Sequence, residues 1–167
     1  CERFAKYNPN VNFHYFIEAT PGLSYARNRG MREAHGDWFV FLDDDSMVGC
    51  DYVEQLGQLL DRFPDAGAFG GAIIPFFEDK TPKWLSKWSM GFVSAIDMGD
   101  AVVEFANGKY PIGANMGISR DVINKIGDFN TSLGRTKDLL LGGEEKDIFA
   151  RIKDTKYPIY YFPNIAV

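Results

Sequence analysis

Three consecutive aspartates, Asp43, Asp44 and Asp45, directly follow the apolar stretch "WFVFL" of residues 38–42. Because like charges repel one another and the desolvation of a carboxylate is costly, such a cluster needs a compensating partner. In an extended backbone the first and third side chains point to the same side. Asp43 and Asp45 could therefore share a hard divalent cation, Mn²⁺ or Mg²⁺, that keeps coordination positions open for phosphate oxygens.

A simpler interpretation is that the aspartates cap the next helix or form a solvated turn. Asp51 and Glu54, however, match a capping box at the start of the helix predicted over residues 51–63. Since the cap then has another source, we favour a metal site formed by Asp43 and Asp45.

A second acidic cluster lies in "LLLGGEEKDIFARI", where Glu144, Glu145 and Asp147 begin a helix predicted over residues 142–154. The two glycines before it let the backbone approach a ligand closely. Acidic residues in a first helical turn are also stabilised by the macrodipole without any ligand. On its own, the segment fits a catalytic group and an ordinary helix start equally well.

Arg27 and Asn28 lie near the start of a helix predicted over residues 23–35, where an anion would be favoured. On spacing alone Arg27 fits an ordinary surface position better than a binding one. The same helix carries a ridge of small residues suited to close packing on a sheet, formed by Ala26, Gly30 and Ala34.

Three further residues could contact a polar ligand. Asn115 lies in the glycine-spaced stretch "GANMGISR", which could wrap such a ligand or simply form a bend. Trp84 and Trp88 are four residues apart and could stack on a sugar ring or touch a membrane surface. Packing of both tryptophans on the core is an equally good interpretation.

The composition excludes several classes of protein. The chain has 167 residues, 46% of them hydrophobic, which is enough for one globular domain over residues 1–167. Its 18 basic and 23 acidic residues form no basic stripe, so we expect no nucleic-acid partner. Two cysteines are too few for a disulfide framework and fit a reducing, cytoplasmic compartment. No apolar run reaches the roughly 20 residues that span a bilayer.

The hydrophobic pattern predicts an α/β fold with a mostly parallel sheet flanked by helices. The unbroken apolar run at 38–42 is typical of a strand covered on both faces. A hairpin with its turn at Asn107 and Gly108 is predicted within residues 101–113. The remaining predicted elements are strands at 11–18, 66–76 and 156–162 and a helix at 120–127, in addition to the helices given above.

Taken together, these segments resemble the family-2 glycosyltransferases, which have the GT-A fold. The resemblance rests on "GLSYARNRGMREAHGDWFVFLDDD", "GANMGISRDVINKIGDFN" and "LGRTKDLLLGGEEKDIFARI", in this order and at these separations. It covers residues 21–151, and the ordered combination is far more specific than any one segment.

The resemblance implies transfer of a sugar from a nucleotide diphospho-sugar to an acceptor hydroxyl of a carbohydrate or a lipid-linked substrate. Asp43 and Asp45 would be the DxD pair that holds a divalent metal on the pyrophosphate. In the segment that resembles the family's G-E-D-x-E-x-x-x-R motif, Glu145 would be the catalytic base of an inverting reaction, with Glu144 beside it. The donor-binding residues it implies are Arg27, Asn28, Asp44 and Asn115. The acceptor-side residues that we assign are Trp84, Trp88 and Asp147.

The chain departs from the family in two respects. Glu145 stands where the family commonly has Asp, and either carboxylate can accept a proton. The opening strand and turn that cradle the nucleoside in the family have no match before residue 11. We therefore expect a domain that is incomplete on its amino-terminal side, with an open sheet edge beside Asp43. Separately, we expect a protein that can be peripheral to the membrane.

Two alternatives remain open at this point. "FVFLDDDSM" also approximates the strand-end motif of haloacid-dehalogenase-like phosphotransferases, in which Asp43 would be phosphorylated. Against that stand Met47, where Thr or Val is usual, and the position of the motif after the first predicted strand. The second alternative is a sugar- or nucleotide-binding module without catalysis.

Overall fold

The computed structural model describes residues 6–7, 9–86, 88–106, 108–134 and 142–167, and these form a five-stranded sheet flanked by helices. The strands are β1 (Trp38–Leu42), β2 (Ala68–Gly71), β3 (Val103–Glu104), β4 (Asn115–Ser119) and β5 (Ile159–Phe162). The α-helices among these residues with named bounds are α1 (Leu23–Glu33), α2 (Tyr52–Arg62), α3 (Arg120–Ile126) and α4 (Glu144–Lys153). A 3₁₀-helix spans Met90–Val93.

The sheet has the order β1-β4-β2-β5-β3 and is mixed. β4 pairs antiparallel with both β1 and β2, while β5 pairs parallel with β2 and antiparallel with β3. The α/β prediction is confirmed. The expectation of a mostly parallel sheet is wrong for neighbouring strands, because only β2 and β5 among the described strands pair in parallel. β1, β2 and β5 do run in one direction, but β4 is inserted between β1 and β2 and runs the opposite way.

The inner strands of the sheet are covered on both faces, but the prediction that the strand at 38–42 is covered on both faces is wrong, because Val40 and Leu42 of β1 are exposed. On one face, α4 and α3 bury Ile148, Phe149 and Val122 in a cluster that includes Met116 and Tyr161 of the sheet. On the other face, α2 packs against alternate side chains of β2 and β5, with the aromatic rings of Phe69 and Phe162 centred 5.6 Å apart. These two layers hold the carboxyl ends of the strands in fixed positions.

The inward face of α1 is polar, which the sequence pattern did not predict. The expected ridge is wrong, because Ala26 and Gly30 are exposed. The buried residues of α1 are Ser24, Arg27, Asn28 and Met31. Because charged and amide side chains are rarely buried without partners, the contacts that these residues make determine the role of this face.

Two other predicted elements differ from the structure. Residues 11–18 form no strand, and Val11, Tyr15 and Ile17 are largely exposed, because β-forming side chains alone do not supply a partner strand. The predicted hairpin is also absent among the described residues. There β3 pairs with β5 instead, and Asn107 of the expected turn lies outside the described residues.

β1 lies at one edge of the sheet formed by the described residues, directly before the aspartates. Val40 and Leu42 on this strand are 39% and 42% exposed. The open edge expected beside Asp43 is therefore present in the described part of the chain.

None of the helices in the described ranges has the length and apolar character required to cross a bilayer.

Candidate active site

The three aspartates lie at the carboxyl end of β1, as the sequence predicted, in the turn that leads toward α2. The Ser46 amide donates to the Asp43 carbonyl at 3.1 Å and closes this turn. The predicted capping box is wrong. Asp51 occupies the N-cap position of α2, but its side chain makes no cap hydrogen bond and accepts one from Gln55 instead.

Two adjacent pockets meet at Asp43. The larger, of about 820 Å³, is lined by Asp43 and Asp45 together with the segment from Ile73 to Glu78. The smaller, of about 330 Å³, is lined by Asp43, Arg27, Glu144 and Glu145. Asp43 and Ser94 line both pockets, so the two pockets are neighbours at this end of the sheet, and together they are called the cleft.

The electrostatics of the cleft converge on Asp43. Partial desolvation is the largest influence on its carboxyl and raises the pKa above the ordinary value. The positive charge of Arg27 opposes this rise in pKa. The carboxylates of Asp45, Glu145 and Asp44 then raise the pKa of Asp43 further. A carboxyl surrounded in this way favours a neutralising proton or cation.

The first turn of α4 supplies the two glutamates of the smaller pocket. Gly143 precedes the helix with φ of 116°, a conformation that favours glycine, and it directs the chain into α4. Glu145 Oε1 accepts a hydrogen bond from Arg27 Nη2 at 3.0 Å. Glu144 Oε1 lies 3.7 Å from Arg27 Nη1, and Glu144 is buried. The guanidinium thus links both carboxylates.

Within the described residues, this cluster is not fully satisfied. Arg27 Nη1 and Glu144 Oε2 are both buried and have no hydrogen-bond partner. Buried polar atoms without partners are uncommon, and they are often found where a ligand or water binds. The smaller pocket therefore combines ionic groups with unused hydrogen-bonding capacity.

Three predicted site residues have other roles in the structure. The side-chain amide of Asn28 donates to the Phe129 carbonyl and accepts from the Phe129 amide, both at 2.9 Å. Asn28 therefore fixes a loop and does not face a nucleotide-sugar substrate. Both the oxygen and the nitrogen of that side-chain amide are thereby engaged. Asp147 accepts two hydrogen bonds from Arg151, which also binds the carbonyls of residues 126–128. The predicted ligand contacts of Asn28 and Asp147 are therefore not supported.

Asn115 is the third such residue and is fully buried in β4. Its amide nitrogen donates to the carbonyls of Ala72 and Ile165, at 3.1 and 2.6 Å, and its oxygen accepts from the Tyr52 hydroxyl at 2.7 Å. Burial raises the pKa of Tyr52 to about 12, so this hydroxyl stays protonated. Asn115 joins four segments of the chain and is not offered to a donor sugar.

The remaining predicted residues are exposed. Asp44 lies between the two candidate metal ligands with its side chain exposed. Trp84 and Trp88 are 62% and 95% exposed, so the interpretation that they pack on the core is wrong. Both tryptophans lie in the segment between Glu78 and Val93, two residues that line the larger pocket.

Sequence reasoning missed Gly113 and the aromatic residues around Arg27. Phe41 and Phe129 place their rings 5.9 and 5.3 Å from the guanidinium carbon. Gly113 lines the smaller pocket next to Arg27 and Glu145. The sequence signal for this position was the first glycine of "GANMGISR", a stretch interpreted only as a ligand-wrapping segment or a bend around Asn115.

The residues present fit a divalent metal only in part. Asp43 and Asp45 line the same pocket and supply two hard oxygen ligands. Across the described ranges, no group of three or more His, Cys, Asp or Glu side chains converges as a complete metal site. The donor set therefore suits an ion that takes its other ligands from a diphosphate and water.

Comparisons with known proteins identify the fold and the family of this chain. The fold is that of GT-A glycosyltransferases, and a family model described as Glycosyl transferase family 2 matches residues 1–127. The chain belongs to that family. It is 29% identical over 134 residues to the glucosyl-dolichyl phosphate glucuronosyltransferase of Haloferax volcanii, covering 78% of this chain and 42% of the relative. It is 28% identical over 148 residues to the succinoglycan biosynthesis protein ExoM of Rhizobium meliloti, covering 87% and 43%.

Solved structures agree in fold. The mannosyltransferase PcManGT from Pyrobaculum calidifontis, in complex with GDP-Man and Mn²⁺, superposes with a TM-score of 0.68 at 18% identity, covering 99% of this chain and 41% of that one. GalNAc-T7 with UDP, GalNAc and Mn²⁺ gives a TM-score of 0.67 at 16% identity, covering 99% and 33%. The chain spans less than half the length of these relatives and structures. The family match favours a transferase over the haloacid-dehalogenase-like alternative.

Proposed function

We propose that this chain contributes the catalytic cleft for transfer of a sugar from a nucleotide diphospho-sugar to an acceptor hydroxyl. The observation that carries the proposal is that Asp43 and Glu145 line the same pocket, each from a segment that resembles a family motif. The GDP-Man and UDP complexes of the structural neighbours support a nucleotide-linked donor. The chemistry of the pocket is consistent with this reaction.

In the proposed reaction, an acceptor hydroxyl oxygen attacks C1 of the donor sugar as the bond from C1 to the diphosphate oxygen breaks. The hydroxyl proton passes to the Glu145 carboxylate, and the nucleotide diphosphate departs with the electron pair. Asp43 and Asp45 would hold a divalent cation, which supplies charge stabilisation for the departing diphosphate. Asp44, exposed between them, is proposed to contact the donor.

The proposed acceptor is a carbohydrate or a lipid-linked sugar. The name of the Haloferax volcanii relative, a glucosyl-dolichyl phosphate glucuronosyltransferase, favours a lipid-linked one. Trp84 and Trp88 are suited to the acceptor side because they are exposed and belong to the segment between Glu78 and Val93 of the larger pocket. Aromatic faces of this kind stack on sugar rings and also enter membrane interfaces.

The metal-dependent part of the proposal predicts that nucleotide binding requires Asp45. Calorimetry on the full-length protein should detect nucleoside diphosphate binding with Mn²⁺ or Mg²⁺ and little binding with EDTA. Asp45→Asn should weaken the metal-dependent binding by roughly tenfold or more, because one of two charged ligands is lost. Equal binding by the variant, or binding that persists in EDTA, would contradict the assignment.

Asp43→Asn is expected to change the stability of the metal-free protein. Because the folded state raises the pKa of Asp43, ionisation of this carboxyl favours the unfolded chain. The variant should therefore be more stable than the original protein at pH 7 in EDTA. This advantage should shrink as the pH falls through the raised pKa, where Asp43 becomes protonated. Thermal unfolding at several pH values measures the difference, and a less stable variant at pH 7 would contradict it.

For the acceptor side, Trp88→Ser should raise the acceptor KM and leave donor binding unchanged. Loss of one stacking contact of about 1 kcal/mol corresponds to roughly fivefold in KM. Tyr15→Ser is a suitable control, because Tyr15 is also an exposed aromatic residue but lies outside the segment between Glu78 and Val93. An unchanged acceptor KM in Trp88→Ser would remove this tryptophan from the site.

A further inference from the structure

We infer that Arg27 is a positioning residue that fixes the Glu145 carboxylate, and that Gly113 provides the space in which the two side chains meet. The inference rests on the proposed function, because it concerns the base of that reaction. It differs from the expectation drawn from the sequence, in which Arg27 lined the donor site.

The guanidinium of Arg27 is held before any ligand binds. The residue is 6% exposed, and the rings of Phe41 and Phe129 lie within 6 Å of its guanidinium carbon. Such contacts favour a planar cation through the ring quadrupole and restrict its rotation. Arg27 therefore provides a fixed point at the inner end of the smaller pocket.

The hydrogen bond from this fixed point engages one oxygen of Glu145. Arg27 Nη2 donates to Oε1 at 3.0 Å, and the described residues provide no hydrogen-bond partner for Oε2. A glutamate at a helix start has several rotatable bonds, so a charge-assisted hydrogen bond to a rigid donor selects one orientation. Oε2 then remains available to accept a proton. A base placed correctly before attack saves orientation cost at the moment of reaction.

Gly113 makes this arrangement possible. A Cβ at position 113 would lie 2.0 Å from Arg27 Nη2 and 2.8 Å from Glu145 Oε1, closer than real side-chain contacts allow. The φ of Gly113 is not in the positive region, so alanine would bring no backbone strain. Gly113→Ala therefore disturbs the pair by contact alone and leaves both charges in the protein. This makes it a cleaner probe than removal of the buried arginine.

The test compares Gly113→Ala, Arg27→Lys and Arg27→Met in the full-length protein, with the kcat of transfer and the metal-dependent affinity for nucleoside diphosphate as readouts. We expect kcat to fall roughly tenfold in Gly113→Ala and further in Arg27→Met, with partial recovery in Arg27→Lys. The nucleotide affinity should stay within about twofold in Gly113→Ala and Arg27→Lys, since both keep the positive charge near Asp43 and the proposed role does not involve the donor. Gly57→Ala is the matched control, because nothing lies within 4 Å of its added Cβ.

A double-mutant cycle separates positioning from a structural contribution. If Arg27 acts through Glu145, Arg27→Met should lower kcat little further once Glu145→Gln is present. Equal effects in both backgrounds would overturn the inference. A parallel loss of nucleotide affinity in Gly113→Ala and Arg27→Lys would also overturn it, as would unchanged kcat in both Gly113→Ala and Arg27→Met. If Arg27→Met does not fold, Gly113→Ala alone decides. Full activity of Glu145→Gln would instead refute the base assignment of the proposed function.

Discussion

Glu145→Gln in the full-length protein is expected to lower the rate of sugar transfer by about a hundredfold or more, because glutamine cannot accept the acceptor proton. Metal-dependent nucleotide binding should be retained, since Glu145 does not line the pocket that contains Asp45. Steady-state transfer assays and calorimetry on the same preparation measure the two quantities. This combination of results separates an enzyme from a binding module that has lost catalysis.

Glu144→Gln is the matched control for that experiment. Glu144 is the immediate neighbour on α4 and is more deeply buried than Glu145, with one oxygen 3.7 Å from Arg27 Nη1. A much larger effect at Glu144 would move the base by one residue. If neither substitution slows transfer, the base lies elsewhere or the reaction proceeds without one, as in a retaining mechanism.

The largest effect on stability is expected from Asn115→Leu. Leucine has the same number and branching of side-chain heavy atoms as asparagine, but it leaves the carbonyls of Ala72 and Ile165 and the hydroxyl of Tyr52 without the partner that each has now. At about 1 to 3 kcal/mol for each buried polar group left unpaired, the free energy of unfolding should fall by roughly 4 kcal/mol. Urea denaturation followed by tryptophan fluorescence measures the change.

Tyr52→Phe serves as the partial version of that substitution. It removes one of the three hydrogen bonds and should cost about 1 kcal/mol. If Asn115→Leu costs no more than Tyr52→Phe, the two carbonyl contacts contribute nothing measurable, and the structural role assigned to Asn115 is wrong.

The elements with a strong periodic pattern could be predicted from the sequence. The helix at 51–63 and the apolar strand at 38–42 were placed within one or two residues of α2 and β1. β4 was missed because its small and polar residues have no strand pattern of their own, although it lies between β1 and β2. Residues 11–18 show the opposite error, since aromatic and β-branched residues predict a strand only where a partner exists.

The same distinction explains which of the predicted site residues line the smaller pocket. Asp43 follows a strand, and Glu145 lies in the first turn of a helix. The sequence alone therefore placed both residues at the edge of the sheet where clefts form. Asn28 and Asn115 could not be assigned in this way. A short amide next to small residues looks the same whether it binds a ligand or the backbone of a distant segment, and only the tertiary structure distinguishes these cases.

The insertion of β4 between β1 and β2 also bears on how the cleft is assembled during folding. The β1–β4 ladder joins Leu42 to Asn115 and Trp38 to Ser119, so it pairs residues from opposite halves of the chain. Contacts between such distant residues form only after a large loss of chain entropy, which places them late in folding. A partly folded chain can contain α2 and α4 as local helices, but the aspartates and Glu145 come together only when β4 docks between β1 and β2. Capacity to bind a nucleotide and metal should therefore be acquired in the last cooperative step of folding.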